Sequence, residues 1–295
     1  MIQYSVVIPT YNRAELLKQC LDALARQTVP RSSYEVIVVN DGSRDHTDAV
    51  MKEFISTHPE MSIVYLPQQN AGPAKARNRG IRRARGEFVF FTDDDCVVPD
   101  TWIETLADGY RRHPEVAGVG GWYEYPEKIY TTNPFARYYT DWMHKRYGAR
   151  MENEEIKTKN FIQNPAGNTS NMSYRKKILE EIGGFDPTIT FPGFDDLELK
   201  KRIMDAGHQL LYIPHQVSHS RPLGPRAIAE RCFNFGRGRY HFTKKNQELR
   251  NFYYPSLRTM KVKYGATRGF LPRLMVLIEF IFSRLGWEYQ KFIEK

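Results

Sequence analysis

The run Glu87-Phe88-Val89-Phe90-Phe91-Thr92-Asp93-Asp94-Asp95 is an apolar segment of strand length that ends in three adjacent carboxylates. Two earlier segments repeat the design. Ser5-Val6-Val7-Ile8 leads into Pro9-Thr10-Tyr11-Asn12-Arg13, and Glu35-Val36-Ile37-Val38-Val39 leads into Asn40-Asp41-Gly42-Ser43. Short continuous apolar runs rich in β-branched residues read as buried strands. Helical spacing fills the intervals. Leu17, Cys20, Leu21 and Leu24 mark a helix over 14–27, a second helix covers 45–57, and a basic one covers 73–84 after a short strand at 62–66. Strands alternating with helices of this length imply right-handed crossovers, so the chain reads as α/β, with a mostly parallel sheet flanked by helices. Such sheets bind ligands at the carboxyl ends of their strands. The three polar clusters are therefore expected on one rim.

The second half is less regular. It reads as a strand at 118–125, a helix at 134–147, a strand at 171–174, a helix at 176–182 ended by Gly183-Gly184, a helix at 196–206 ended by Gly207 and a strand at 209–213. Three helix-like segments follow Arg221. The 295 residues, 41% apolar and 26% charged, suit one large domain or two small ones and exclude a disordered chain. Cys20, Cys96 and Cys232 are odd in number and form no CxxC pair, which points away from a disulfide framework or a zinc cluster and towards a reduced, cytoplasmic chain. Met1-Ile2-Gln3-Tyr4 runs into a strand without a basic region, so no signal peptide is expected.

Three adjacent carboxylates repel one another unless something cationic sits among them. A divalent ion with oxygen ligands, Mg²⁺ or Mn²⁺, is the natural partner and commonly bridges substrate phosphates. A second acidic pair, Asp195-Asp196, opens a helix, where negative charge is favoured. His219 follows a short strand, where a metal ligand can project. Asp41 sits in a turn beside Gly42, either as a turn residue or as an acceptor for a pyrimidine N–H. Arg77 is one of six Lys/Arg within residues 75–85, which either solvate a helix face or meet a diphosphate.

Seven motifs stand in one order: Val7-Ile8-Pro9-Thr10-Tyr11-Asn12-Arg13, Val39-Asn40-Asp41-Gly42-Ser43, Ala76-Arg77-Asn78-Arg79-Gly80, Phe91-Thr92-Asp93-Asp94-Asp95, Gly183-Gly184-Phe185-Asp186, Asp195-Asp196-Leu197-Glu198-Leu199 and His219. In that order and spacing the chain resembles the family-2 glycosyltransferases, which have the GT-A fold. The resemblance spans residues 5 to about 220 and implies an inverting, metal-dependent transfer of a hexose-type sugar from a nucleotide-diphosphate donor. It implies that Thr10, Tyr11 and Asp41 hold the base, with Pro9, Arg13, Arg77 and Asp94 among the donor contacts. Asp93–Asp95 would be the DXD motif, with Asp93 near the ribose or sugar and Asp95 on the metal, or Asp94 in the alternative register. His219 would be a further metal ligand. Asp196 matches the acid that serves as catalytic base, preceded here by Asp195 where the family has Glu. The implied cofactor is Mn²⁺ or Mg²⁺. The implied donor is a UDP-sugar, with dTDP- and GDP-sugars open, and the acceptor a glycan or lipid-linked glycan. The expected division is a catalytic domain at 1–220, with a nucleotide-binding half at 1–100 and an acceptor-binding half at 101–220, then a basic helical extension at 221–295.

The extension holds 16 Lys/Arg against 5 Asp/Glu, a net +11 on a chain of net +9. The residues before it therefore carry about −2. Its Arg and aromatic residues resemble a base-stacking surface, but a nucleic-acid role leaves the acidic rim unexplained and no nucleic-acid partner is expected. A nucleotidyltransferase would carry a Gly-rich loop after the first strand, and Pro9-Thr10-Tyr11-Asn12-Arg13 has no Gly. A membrane-spanning synthase is excluded because the longest uninterrupted apolar run within 271–285 is five residues, against about 20 for a bilayer. Leu274, Leu277, Ile278, Ile281 and Leu285 nonetheless lie at three- and four-residue spacings, with Trp287 and Tyr289 suited to an interface. Either this helix docks on the catalytic domain, or it attaches the protein to an anionic membrane surface on the cytoplasmic side, helped by Arg226, Arg231, Arg237, Arg239, Lys244, Lys245, Lys261 and Lys263.

Overall fold

The computed structural model describes residues 1–147, 155–158, 160–221, 224–267 and 269–294. In chain order its elements are β1 (Tyr4–Thr10), α1 (Ala14–Leu24), β2 (Tyr34–Asn40), α2 (Thr47–Thr57), β3 (Ser62–Pro67), α3 (Pro73–Arg83), β4 (Phe88–Phe91), β5 (Cys96–Val97), α4 (Trp102–Arg112) and β6 (Gly118–Glu124). Then come α5 (Glu127–Thr132), α6 (Pro134–Tyr147), β7 (Ile156–Thr158), β8 (Met172–Arg175), α7 (Lys176–Ile182), α8 (Asp195–Asp205), β9 (Leu210–His219), α9 (Pro225–Lys245), α10 (Arg250–Tyr253), α11 (Leu257–Ala266) and α12 (Phe270–Ile293).

The described strands form one sheet in the order β3-β2-β1-β4-β8-β6-β9-β5, with β7 paired to β9. β1 pairs in parallel with β2 and β4, and β2 with β3. β8 is antiparallel to both β4 and β6, and β6 is parallel to β9. β6 and β9 therefore point the same way as the first four strands. The chain moves outward from β1 through β2 to β3 and then returns to place β4 on the other flank of β1. That reversal makes β1/β4 the switch point where an open α/β sheet leaves a crevice.

Alternate side chains of each strand serve opposite faces. Val6, Ile8, Val36, Val38 and Phe90 pack with Leu17, Leu21 and Trp102 on one face. Val7, Ile37, Val39, Val89 and Phe91 pack with Ala76, Ile81 and Leu199 on the other. Each such aliphatic side chain contributes about 1.5–3 kcal/mol by leaving water. The strand expected at 209–213 runs on through Pro214 to His219. Its register against β6 shifts between Gly120 and Trp122, and a bulge is where a sheet tolerates proline. α4, β5 and β7 are elements that the periodicity did not reveal.

Beyond β9, α9 and α12 pair closely: the added Cβ of an alanine at 236 would meet the Ser283 carbonyl, and one at 286 the Phe233 carbonyl. Ser283 Oγ donates to the Cys232 carbonyl at 3.1 Å. Phe135, Ile228, Cys232, Met275 and Val276 make a third apolar cluster that joins this pair to α6. Trp287 is 2% exposed, against the edges of Tyr240 and Tyr254, and so is a core residue rather than an interface anchor. The expected polybasic surface is also largely committed internally. Arg231 lies over Phe135 and Phe235 and donates to Tyr123, Arg237 lies over Phe191, Arg239 and Lys263 pair with Glu279, Lys244 pairs with Glu294, and Lys245 pairs with Asp186. α12 still presents Leu271, Leu274, Ile281, Leu285 and Phe292 to solvent. Among the described residues no helix is long and apolar enough to cross a membrane.

Candidate active site

The ends of β1, β2, β4 and β9 converge, and the preceding loop of antiparallel β8 reaches the same rim. β1 ends at Thr10, whose hydroxyl donates to Asp94 Oδ2 at 2.8 Å. Arg13 follows, and its guanidinium meets Asp94 at 2.7 Å and Asp95 at 2.9 Å. Arg77, 6% exposed on α3, spans Asp93 at 2.8 Å and Asp195 at 2.5 Å. β8 runs opposite to β4, so Ser170 comes level with Asp93 and donates to it at 2.7 Å. β9 pairs His219 with Cys96, and His219 Nε2 lies 3.5 Å from Asp95 Oδ1.

The cations expected among the three carboxylates are thus already present as two arginines. Arg77, read from its basic helix as a diphosphate contact, gives one N–H of each terminal nitrogen to Asp195 and Asp93, and its Nε is buried without a hydrogen-bond partner. Burial works to raise the pKa of Asp93, but Arg77 and the Ser170 hydroxyl outweigh it and hold the group below the ordinary value. Asp94 is pushed up to about 6 by burial and by Asp95, against the pull of Arg13. Asp196 rises to about 7, through burial and the neighbouring Asp195, with Arg77 opposing. Leu197 N donates to it at 2.8 Å. A carboxyl group titrating there is matched to taking a proton near neutrality.

A metal fits these residues. Oxygens of Asp93 and Asp95 and the sulfur of Cys96 lie within 4.8 Å of one another. Cys96 is a poor third ligand for a hard cation, because it is fully buried in the apolar core and burial raises its thiol pKa well above normal. His219 is the better one. Burial lowers its pKa, leaving the neutral ring that ligates. Its Nδ1 is buried without a hydrogen-bond partner.

Asp41 sits at the end of β2 as expected, but its carboxylate is engaged. It accepts from Gln68 Nε2 at 2.7 Å, Ala71 N at 2.9 Å and Gly72 N at 2.9 Å, and so holds the loop that enters α3. One of about four acceptor positions on a carboxylate is left. Tyr11 is 46% exposed at the mouth, and Pro9 lies within β1, beside Val39 of β2. Asn12, at φ 54°, locks the first motif to the second: Asn12 N donates to Ser43 Oγ and Arg44 N to Asn12 Oδ1. Sequence reasoning missed Ser170. The polar run Asn168-Thr169-Ser170-Asn171 before β8 was the available signal.

The glycosyl transferase family 2 model matches residues 5–183. The chain belongs to glycosyl transferase family 2. Glycosyltransferase AglE of Haloferax volcanii is 31% identical over 240 residues, 79% of this chain and 72% of that protein. The poly(ribitol-phosphate) β-N-acetylglucosaminyltransferase TarS of Staphylococcus aureus is 35% identical over 117 residues, which is 39% of this chain but only 20% of TarS. Among solved structures, mannosyltransferase PcManGT of Pyrobaculum calidifontis, in complex with GDP-Man and Mn²⁺, superposes with a TM-score of 0.65 at 18% identity, over 99% of this chain and 86% of that one. TarS 1–349 superposes with a TM-score of 0.59 at 17% identity, over 82% of this chain and 64% of that one. At those identities the likeness shows the GT-A fold. The family-2 chain is a glycosyltransferase of the hexosyl-transferring kind that draws on a nucleotide-sugar donor.

Proposed function

We propose that this enzyme is an inverting glycosyltransferase that passes a sugar from a UDP-sugar to a hydroxyl of a glycan or lipid-linked glycan, with Asp196 as general base. The observation that carries the reading is the Arg77 bridge. One buried guanidinium links Asp93 on the donor rim to Asp195, next to Asp196. The donor's anomeric carbon and the base are then neighbours across a single side chain.

Asp196, ionised, takes the proton from the acceptor hydroxyl. The acceptor oxygen bonds to the anomeric carbon from the face opposite the diphosphate, and the carbon–oxygen bond to the diphosphate breaks with its electron pair. One backside displacement inverts the configuration and needs no covalent enzyme intermediate. Asp93, Asp95 and His219 would hold Mn²⁺ or Mg²⁺, which supplies charge neutralisation for the leaving diphosphate. Arg13 lies on the same rim and adds positive potential there. Thr10, Tyr11, Pro9 and the remaining acceptor position of Asp41 are assigned to the nucleotide, where uracil N3–H suits a carboxylate. Residues 1–220 are assigned as the catalytic domain, nucleotide-binding over 1–100 and acceptor-binding over 101–220, with 221–295 as its helical extension.

The solvent-facing stripe of α12 supports peripheral contact with the cytoplasmic face of a membrane, where a lipid-linked acceptor would be presented. The three cysteines are free and buried, in keeping with a reducing compartment. The test of the catalytic reading is a panel of nucleotide sugars with Mn²⁺, scored by release of nucleotide diphosphate from wild type and from Asp196→Asn. A donor turned over by wild type and not by Asp196→Asn supports it. Equal turnover refutes it.

A further inference from the structure

The loop between α7 and α8 leads into Asp195 and Asp196, and the chain after residue 220 grips it along its length. Gly193 and Phe194, directly before the acids, have φ of 115° and 70°. A phenylalanine keeps a left-handed backbone only where its surroundings hold it there. Phe194 is 6% exposed. Its ring meets the edges of Phe235 at 6.1 Å and Tyr253 at 5.5 Å, and lies 6.0 Å from Phe242. α9 comes this close because residue 238 has no side chain: a Cβ there would lie 2.7 Å from Phe194 Cβ and 2.9 Å from the Gly193 carbonyl. Within a helix of 21 residues alanine is the better helix former, so helix stability does not explain the glycine. The contact with the loop does.

Two more holds flank this one. The Arg237 guanidinium lies 4.0 Å from the Phe191 ring centre, and its Nε donates to Gln290 of α12 at 2.9 Å. Asp186, at the start of the loop, accepts from Lys245 and pairs with His241 Nε2 at 3.0 Å, while His241 Nδ1 faces Glu294 at the end of α12 at 3.0 Å. Because Asp195 and Asp196 open α8, the direction of both carboxylates follows from the backbone at Phe194.

We propose that α9, backed by α12, is a buttress that aims the Asp195–Asp196 pair, with Phe194, Arg237 and Gly238 as positioning residues for the transfer step. The proposal rests on the reading of the Asp195–Asp196 pair as the carboxylates that act in the transfer. It makes the C-terminal extension a working part of the active site and not only a tether.

The experiment compares full-length Gly238→Ala and Arg237→Ala with wild type. Gly265→Ala, whose added methyl meets nothing within 4 Å, is the control. Readouts are thermal melting, amide hydrogen exchange by mass spectrometry, calorimetry with UDP and Mn²⁺, and turnover of the nucleotide sugar that the panel selects. In Gly238→Ala and Arg237→Ala, exchange over residues 187–200 is expected to accelerate while β1 to β4 stay protected. UDP affinity should hold within about twofold and kcat fall by about 10–100-fold at unchanged donor KM, the scale expected of a displaced catalytic group. If Gly238→Ala does not fold, Arg237→Ala decides by the same readouts. Unchanged exchange and kcat, or a loss of UDP affinity in parallel with kcat, would overturn the buttress. If Asp196→Asn is inactive while Gly238→Ala is fully active, only the buttress falls. If Asp196→Asn turns over normally while Gly238→Ala loosens the loop and slows turnover, the buttress stands and the base assignment falls.

Discussion

The pH dependence of turnover offers the sharpest test of the base. Asp196 titrates at about 7, raised by burial and by Asp195 and restrained by Arg77. Only the ionised form accepts a proton. A group with that pKa is about one-eleventh ionised at pH 6 and about ten-elevenths at pH 8, so kcat should climb about tenfold across the interval. A carboxylate at the ordinary value near 3.8 would be fully ionised throughout and leave the profile flat. Two substitutions should move the limb in opposite directions. Asp195→Asn removes the negative neighbour that raises Asp196 and releases Arg77 from its ion pair, and both changes carry the limb to lower pH. Arg77→Gln removes the opposing cation and carries it to higher pH. Asp196→Asn should remove the limb and cost about 10²–10⁴ in rate. The assay is nucleotide diphosphate release at saturating donor from pH 5.5 to 8.5, with UDP calorimetry confirming that each variant still binds. A flat wild-type profile, or an inactive Asp195→Asn beside an active Asp196→Asn, refutes the assignment.

Three further outcomes are expected. Excess EDTA or Asp95→Ala should abolish transfer while the melting transition survives, because Arg13 still neutralises Asp94; full activity in chelator would rule out the metal. UDP should bind more tightly than GDP or ADP through the remaining acceptor position of Asp41, and calorimetry showing a purine preference would contradict this. Full-length protein should co-sediment with anionic vesicles, and Ile281→Asp with Leu285→Asp, both facing solvent, should release it with little change in fold. Because most nearby cations are paired internally, raising the salt should weaken this binding only modestly; complete release by salt would mean that charge, not the apolar stripe, drives it.

Much of the acidic rim is legible in the sequence alone. Val6 to Ile8, Val36 to Val39 and Val89 to Phe91 announce buried strands by composition. The carboxyl-end rule is a property of any right-handed βα sheet, so Thr10, Asp41 and Asp93–Asp95 could be placed on one rim from local pattern alone. The acids of that rim and the helix-opening pair Asp195-Asp196 were visible as residue types.

Their partners were not. Arg13 reaches Asp94 across 81 residues, Ser170 reaches Asp93 across 77, and Arg77 reaches Asp195 across 118. Such meetings depend on strand order, and no local periodicity encodes that β8 runs antiparallel beside β4 or that β9 returns His219 to Cys96. The same cause explains the tail. Its charge and its apolar spacing were correctly counted, yet the count could not distinguish a lysine in solvent from Lys263 on Glu279, nor Trp287 at an interface from Trp287 in a core. The left-handed Phe194 belongs to this second class too: its backbone is disfavoured by its own chemistry and persists because α9, from a distant part of the chain, closes over it.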